Sequence, residues 1–282
     1  MEKEFIVEKQ HSITLNVTAG QIDSYRELEK TTGTVRVYEN GCIGVAGCLG
    51  EPDEEALTAQ AKEALAFGIQ YPCSLEGKAE IIEDHDKEII PAAEMIPVMT
   101  DFLKRLGEQC PKMALTNKIR LVHGKTEYRN SLGRHLVSSG ANLSIELVAQ
   151  NRGSGNLMDM VFAWQGDEFD ADKILAEFKS QYDAFYIPAD IESGRWPVVA
   201  MPMDLYGTFL QHFIGDLYAA GASLLSGKLG EKVFSDKLTF CDDLNPDTSF
   251  ESCFFDAAHT CDVQCDRNDY FTDCKCSFDG FI

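Results

Sequence analysis

Basic residues are scarce in this 282-residue sequence. It contains 25 lysines and arginines against 46 aspartates and glutamates, which gives a formal net charge of −21 at pH 7. Proteins that bind phosphate backbones or anionic lipid surfaces need clustered lysines and arginines, because these positive charges attract the negatively charged phosphate groups. The charge balance therefore argues against nucleic-acid and membrane partners.

The sequence also lacks long apolar runs. Its first residues, MEKEFIVEKQHS, have neither the basic region nor the apolar run of a secretory signal, and no stretch approaches the length of a membrane helix. We therefore expect a cytoplasmic protein whose ten cysteines stay reduced. The hydrophobic fraction of 44% suits one large domain or two modest ones.

Strand signals precede helix signals in the first half of the chain. Alternating and β-branched residues predict strands through the first fifty residues, with a turn at residues 39–41. A helix signature follows Asp53, a candidate N-cap. Its residues at helical spacing are Ala61, Leu65 and Ile69. Residues 80–88 are acidic and weakly patterned, which predicts a solvated loop, and a second helix is expected at about residues 97–107. The residues predicted to face inward on that helix are Met99, Phe102, Leu103 and Leu106.

A second run of strand signals opens the next part of the chain. Residues 117–150 are predicted to hold three or four strands, with a turn at residues 130–133, and residues 157–166 another strand. Residues 170–185 predict a helix. Its apolar stripe consists of Ile174, Leu175, Phe178, Tyr182 and Phe185. Strands, helices, strands and a helix in this order predict an α+β fold with a mainly antiparallel sheet.

After a predicted strand at residues 196–202, an apolar helix carries a single histidine. A zinc peptidase helix needs two histidines one turn apart and a glutamate beside the first, because metal and general base must meet at one water molecule. His212 has only Asp216 at that spacing, and residues 201–220 contain no glutamate. We therefore interpret His212 as structural, with a weak pairing to Asp216. These two residues are the only candidates for a site in this segment.

Two other features suggest sites and fail on spacing. The glycine-rich stretch that ends at Gly227 is one residue too long for a phosphate loop, and Leu229 stands where serine or threonine would hold magnesium. The tail cysteines near His259 match no common zinc spacing. They are Cys261, Cys265, Cys274 and Cys276. We interpret the first stretch as a loop and the second as a poorly ordered end with reduced thiols.

Three motifs in order along the chain resemble those of one protein family. The first is an early hairpin, the second a mid-chain N-S-x-G element, and the third a glycine-rich turn followed by a strand and two aspartates. The matching positions are Arg36 and Gly41, then Asn130, Ser131 and Gly133, then Gly227, Gly230, Glu231, Asp242 and Asp243. Together they resemble the TldD/PmbA family, historically labelled modulators of DNA gyrase, over about residues 10–256.

The resemblance implies an architecture. It leads us to expect two α+β units with largely antiparallel sheets: an N-terminal domain at residues 1–190 and the start of a C-terminal domain at residues 191–256. A divergent cysteine-rich tail at residues 257–282 would follow. The family pattern continues beyond Asp256, so we expect an incomplete C-terminal domain, as in a truncated or frame-shifted product.

The resemblance also implies a partner. The family has two branches that pair as a heterodimer, and TldD-like subunits carry an H-E-x-x-x-H zinc helix that TldE/PmbA-like subunits lack. Matched back from Gly230, that helix falls on residues 206–211, which contain neither histidine nor glutamate. The chain thus resembles the non-catalytic branch, with no catalytic or metal-binding residue of its own.

The expected function follows from that branch. Zinc is expected in a TldD-like catalytic subunit, and the complex would degrade or process peptides and flexible proteins. One alternative is a free-standing metallopeptidase of the same family that uses His212, His259 and the tail thiols. A gyrase-associated regulator, the third interpretation, rests only on the historical label.

Overall fold

The computed structural model describes residues 1–71, 75, 77–190, 192–197, 212, 217–218, 221–228 and 231–233. The chain divides into two units. The first consists of Met1–Cys73 and Gly77–Asp190, and the second of Ser74–Glu76 and Ile191–Ile282. The helices and strands discussed below belong to the first unit.

A seven-stranded sheet forms the base of the first unit. Its strands are β1 (Glu2–Thr18), β2 (Gln21–Glu39), β3 (Cys42–Leu49), β4 (Glu80–His85), β5 (Met113–Asn130), β6 (His135–Asn151) and β7 (Met160–Gly166). They lie in the order β3-β2-β1-β5-β6, and β4 and β7 both pair with β6. Only the β4–β6 pair is parallel. The predicted α+β fold with a mainly antiparallel sheet is confirmed.

The predicted number of strands in residues 117–150 is wrong. Residues 117–150 belong to two strands, β5 and β6, and not to three or four. Two glycines lie inside these strands, and Gly124 and Gly140 are directly opposite each other in the β5–β6 ladder. Because pairing with neighbouring strands holds both backbones extended, glycine does not interrupt either strand here.

Three helices accompany the sheet: α1 (Glu54–Ala64), α2 (Met95–Gln109) and α3 (Ala171–Phe185). The Asp53 side chain caps α1 by accepting hydrogen bonds from the N–H groups of Glu55 and Ala56, as the sequence predicts. Asp170 caps α3 in the same way through the Lys173 N–H. No helix in the described part of the chain has the length and apolar character needed to cross a membrane.

The predicted inward faces of these helices are correct with two exceptions. The expected residues of α2 are all buried, and α3 buries its stripe except Phe185, which is 38% exposed. In α1 the prediction extends too far, because a 3-10 turn at Leu65–Phe67 and the left-handed Gly68 end the helix. Ile69 is consequently 56% exposed, and its carbonyl accepts a hydrogen bond from the Ile43 N–H.

The loop prediction for residues 80–88 is also wrong over Glu80–His85. This segment forms β4, which runs parallel to β6 with Glu80 opposite His135. Its side chains are mostly exposed, so no buried face leaves an alternating pattern in the sequence. The strand is fixed by backbone pairing with a distant segment, which local sequence signals do not report.

The helices cover one face of the sheet at two places. A large core joins α2 and α3 to β1, β5, β6 and β7, and a smaller one joins α1 to Phe5, Val35 and Val37. A Cβ on Gly44 would lie 2.0 Å from the Ala61 carbonyl oxygen, so only glycine lets α1 approach β3 this closely. Because side chains alternate along a strand, Lys9 and His11 lie on the same face of β1 as Phe5. The two cores are thus separated by a polar band.

Candidate functional site

Two motifs that are far apart in the sequence meet at the N-terminal end of β1. Arg36 on β2 and Asn130 on β5 both lie directly opposite Glu4, one on each side. The sequence singles out Arg36 and Asn130, but it does not point to the glutamate between them. The three residues form the centre of the best-defined polar cluster in the described part of the chain.

Glu4 is a buried carboxylate, with 1% of its surface exposed. The Tyr38 hydroxyl donates to its Oε2 and the Tyr128 hydroxyl to its Oε1, each at 2.8 Å. The guanidinium of Arg36 lies 3.8 Å from Oε2 and balances the negative charge. A carboxylate can stay ionised in such a place because charge-assisted hydrogen bonds replace those of water.

The two tyrosines are held in their protonated form by this environment. Burial raises the pKa of Tyr38 and of Tyr128 well above the usual value, and the negative charge of Glu4 and the hydrogen bonds to it raise both further. A phenol that does not ionise remains a hydrogen-bond donor. The cluster therefore links β1, β2 and β5 through hydrogen bonds, and its tyrosines do not ionise at neutral pH.

The N-S-x-G element forms the turn that brings Asn130 to this cluster. The Asn130 side-chain oxygen accepts hydrogen bonds from the N–H groups of Leu132 and Arg134, at 2.9 and 3.0 Å. Gly133 adopts a φ of 88°, which favours glycine. The Ser131 hydroxyl accepts from the Lys3 N–H, and the Ser131 N–H donates to the Lys3 carbonyl. Each motif residue thus shapes the turn or joins it to β1, and the predicted turn is confirmed.

The early hairpin motif has a similar explanation. Asn40 and Gly41 have φ values of 55° and 73°, the left-handed pair that a two-residue hairpin between β2 and β3 requires. The predicted turn is therefore correct, and Gly41 has a conformational role. Gly227 also adopts a positive φ, of 78°, and the Glu231 N–H donates to the Lys228 carbonyl.

His212 contacts the turn at residues 223–225. Its Nδ1 lies 3.4 Å from the Leu224 nitrogen and accepts that N–H, and its carbonyl accepts from the Ser223 hydroxyl at 2.6 Å. Ser223 is buried and also accepts from the Leu225 N–H. Of the other predicted site positions, Asp216, Gly230, Asp242 and Asp243 lie outside the described residues. The same holds for the predicted tail thiols and for most of the predicted strand at residues 196–202.

A second polar arrangement occupies the band between the two cores. The rings of His11 and His123 lie opposite each other on β1 and β5, stacked with centroids 6.2 Å apart. Glu27 lies 2.7 Å from Nε2 of His11, and Asp86 lies 2.6 Å from Nδ1 of His123. Within the residues that the structure describes, no group of three or more histidine, cysteine or acidic side chains is arranged to hold a metal ion.

The sequence does not reveal Glu4, Tyr38 and Tyr128 as a cluster. The hairpin turn at Asn40 and Gly41 sets the register of β2 against β3, but Glu4 meets Tyr128 only through the pairing of β1 with β5. That pairing joins segments more than a hundred residues apart and leaves no local pattern. The one usable signal is an acidic residue at position 4, directly before the apolar residues Phe5, Ile6 and Val7 of a strand.

Comparison with known proteins gives a family match in the second unit. Residues 193–258 match the model of the PmbA/TldA metallopeptidase C-terminal domain. None of the curated proteins compared with the chain matches it significantly.

Solved structures share the fold. A putative modulator of a DNA gyrase from Thermotoga maritima has a TM-score of 0.61 and 18% identity, over 82% of this chain and 56% of its own. TldE from Thermococcus kodakarensis has a TM-score of 0.59 and 17% identity over the same shares. A putative modulator of DNA gyrase from Bacteroides thetaiotaomicron has a TM-score of 0.67 and 14% identity, over 91% of this chain and 63% of its own.

This chain thus spans between 56% and 63% of the length of these similar proteins. The structural likeness concerns the fold, while the family-model match falls on the segment that holds His212, Gly227 and Glu231. The two findings support the resemblance to the TldD/PmbA family that the three sequence motifs indicate: residues 193–258 are similar to the C-terminal domain of that metallopeptidase family, and the fold is shared with the solved structures.

Proposed function

We propose that this chain is a non-catalytic TldE/PmbA-like subunit of a cytoplasmic two-subunit metallopeptidase that degrades or processes peptides and flexible proteins. In this proposal zinc is held by a TldD-like partner. The observation that supports it concerns His212, which is the single histidine of residues 201–220 and accepts a hydrogen bond from the Leu224 N–H. That stretch lies inside the segment matched by the metallopeptidase family model, and it contains no glutamate.

The hydrogen bond at His212 opposes metal binding by this ring. When Nδ1 accepts the Leu224 N–H, the neutral ring carries its proton on Nε2, which then has no lone pair for a metal. A metal at Nε2 would place a proton on Nδ1, so two donors would face each other. A metal at Nδ1 would displace the Leu224 N–H. Either mode costs the turn one of its contacts with His212.

The test is to compare the chain alone with the chain co-expressed with an H-E-x-x-x-H-bearing relative from the same genome. We expect substoichiometric zinc by mass spectrometry and no peptide hydrolysis from the chain alone. The co-expressed pair should elute as one complex, bind zinc and hydrolyse an unfolded peptide. Changing the glutamate of the partner's motif to glutamine should abolish hydrolysis and leave the complex intact.

A matched variant of this chain separates the two metallopeptidase interpretations. His212→Ala should leave the zinc content and activity of the complex unchanged. If the chain alone binds one zinc ion and hydrolyses peptide, and His212→Ala abolishes both, then the chain is a free-standing metallopeptidase and the proposal is wrong.

A further inference from the structure

The outer edge of β2 is open over half of the strand. β2 pairs with β1 along its whole length, but its pairing with β3 begins only at Thr32. Among the strands of the described chain, none pairs with the outer side of residues 24–30. The side chains of residues 24–30 are exposed. This edge offers backbone hydrogen-bonding groups to another strand.

The direction of the free backbone groups follows from one hydrogen bond. The Thr31 carbonyl points outward, since it accepts from the Gly50 N–H at 2.9 Å. In an antiparallel ladder the N–H and C=O of one residue point to the same side, and alternate residues point to opposite sides. Tyr25, Glu27 and Glu29 therefore direct their N–H and C=O groups outward.

Charge is sorted between the two faces of this edge. Glu27 and Glu29 pair with Ile13 and His11 of β1, so their side chains lie on the helix-bearing face. Arg26 and Lys30 alternate with them and lie on the opposite face. The edge thus presents acidic side chains on one face and basic side chains on the other.

This sorting opposes pairing between two copies of the chain. Two copies related by a two-fold axis at this edge would place residues of the same face opposite each other. A register centred on residue 26 or 27 then places Arg26 or Glu27 opposite its own copy. A register centred on residue 28 places Glu27 opposite Glu29. Like charges directly opposite each other destabilise a strand pair, so a second copy is not the occupant.

We propose that the outer edge of β2 at residues 24–30 binds an extended polypeptide segment that carries lysine or arginine at alternate positions. The segment adds to the sheet as an antiparallel strand. Its basic side chains lie on the helix-bearing face, opposite Glu27 and Glu29, and its intervening side chains are acidic or small and polar, opposite Arg26 and Lys30. The proposal is argued from the edge of β2 alone and does not rest on the proposed pairing with a TldD-like subunit.

Glu27 and Glu29 differ in the contacts that their carboxylates make. The Glu27 carboxylate is oriented by His11 Nε2 at 2.7 Å and by the Tyr25 hydroxyl at 2.7 Å. Glu29 is exposed and has no ion pair within the described residues. Glu29 is consequently the residue whose charge is most available to an incoming basic side chain, and it is the one to change.

Binding can be measured by fluorescence anisotropy with short labelled peptides. The probe alternates lysine with threonine, and the controls have the same composition with the lysines in one block, or glutamate in place of lysine. We expect the alternating lysine peptide to bind at least about tenfold more tightly than either control. Glu29→Lys should weaken its binding by about tenfold and favour the glutamate peptide. The matched variant Glu177→Lys makes the same charge change at an exposed site on α3 and should have little effect.

Backbone pairing is tested with the unaltered protein. Residues opposite Glu27 and Glu29 use their own N–H groups toward the edge, so N-methylation of the lysines should abolish binding. N-methylation of the threonines, whose N–H groups point away, should leave it intact. Bound peptide should also slow amide hydrogen exchange at Tyr25, Glu27 and Glu29, while Arg26 and Leu28 should change little.

Three outcomes would overturn the proposal. Equal binding of the alternating and blocked lysine peptides would mean general attraction to a chain of net charge −21. An equal loss of peptide affinity in the Glu29→Lys and Glu177→Lys variants would also indicate general charge attraction and not binding at this edge. Equal effects of the two N-methylation patterns would show that the peptide does not join the sheet at this edge.

Discussion

Glu4 and Glu27 are similar in their hydrogen bonds and opposite in their surroundings. Each carboxylate accepts a tyrosine hydroxyl and has a basic side chain nearby, Arg36 for Glu4 and His11 for Glu27. The Glu4 side chain is 1% exposed, whereas that of Glu27 is 46% exposed. The buried carboxylate depends on its partners for charge stabilisation, whereas water supplies most of it at the exposed one.

The causes that raise the pKa values of the neighbouring tyrosines reflect the same difference in burial. Burial is the largest cause that raises the pKa of Tyr38 and Tyr128, while the hydrogen bond with Glu27 is the largest cause that raises the pKa of Tyr25. In a low-dielectric site each missing partner leaves a polar group without compensation. We therefore expect the cluster around Glu4 to be intolerant of substitution and the region around Glu27 to be tolerant, which leaves the latter available for binding.

The largest effect is expected from Glu4→Ala. This change leaves the buried Tyr38 and Tyr128 hydroxyls without their acceptor and the Arg36 guanidinium without its nearby carboxylate. Removing one partner of a buried charge pair costs about 3–5 kcal/mol, and we expect a loss of that size in the free energy of unfolding. Urea denaturation followed by circular dichroism measures it. Glu27→Ala is the control, and an equal loss in both variants would contradict the comparison.

A smaller effect is expected from Tyr128→Phe. The substitution keeps the buried ring and removes one hydroxyl donor from Glu4, while Tyr38 continues to donate. We expect a loss of about 1–3 kcal/mol in the free energy of unfolding, since a hydrogen bond to a charged group is lost. Tyr25→Phe removes the corresponding hydroxyl from Glu27 and should have a smaller effect on the denaturation midpoint. A larger loss of unfolding free energy in Tyr25→Phe than in Tyr128→Phe would contradict the prediction that the buried hydroxyl contributes more to stability than the exposed one.

Asn130→Ala tests the turn that supports the buried cluster. It removes the side-chain oxygen that accepts the Leu132 and Arg134 N–H groups. We expect a loss of about 1 kcal/mol in the free energy of unfolding, because water can replace part of these contacts at the exposed turn. Asn130→Asp keeps the acceptor and serves as the matched control. No difference between the two variants would show that the turn forms without this side chain.

Local signals account for the parts of the fold that the sequence predicts correctly. The Asn40–Gly41 turn needs only the left-handed conformation of two residues, and the α1 cap needs only Asp53 and the first helical N–H groups. The strand β4 and the Glu4 cluster depend on pairing between distant segments, so no short stretch identifies them. The same holds for the open edge of β2, whose sorted charges are visible in the sequence only after the β1–β2 register is known.

The smallest expected effect concerns the ionisation of Glu27. The pKa of Glu27 is lowered, first by the hydrogen bond from Tyr25 and second by that with His11. Tyr25→Phe and His11→Ala should therefore each move this pKa back toward its ordinary value. Carbon-detected NMR titration of the side-chain carboxyl measures both shifts.

The sign of the related stability change follows from the direction of the shift. A carboxyl group with a lowered pKa in the folded state contributes stability above its unfolded pKa and loses that contribution as pH falls through the folded pKa. Tyr25→Phe should thus reduce the stability of the protein slightly at neutral pH and not at all below the folded pKa. If the substitution leaves the pKa of Glu27 unchanged, then the hydrogen bond from the tyrosine hydroxyl does not stabilise this carboxylate at the edge of the sheet.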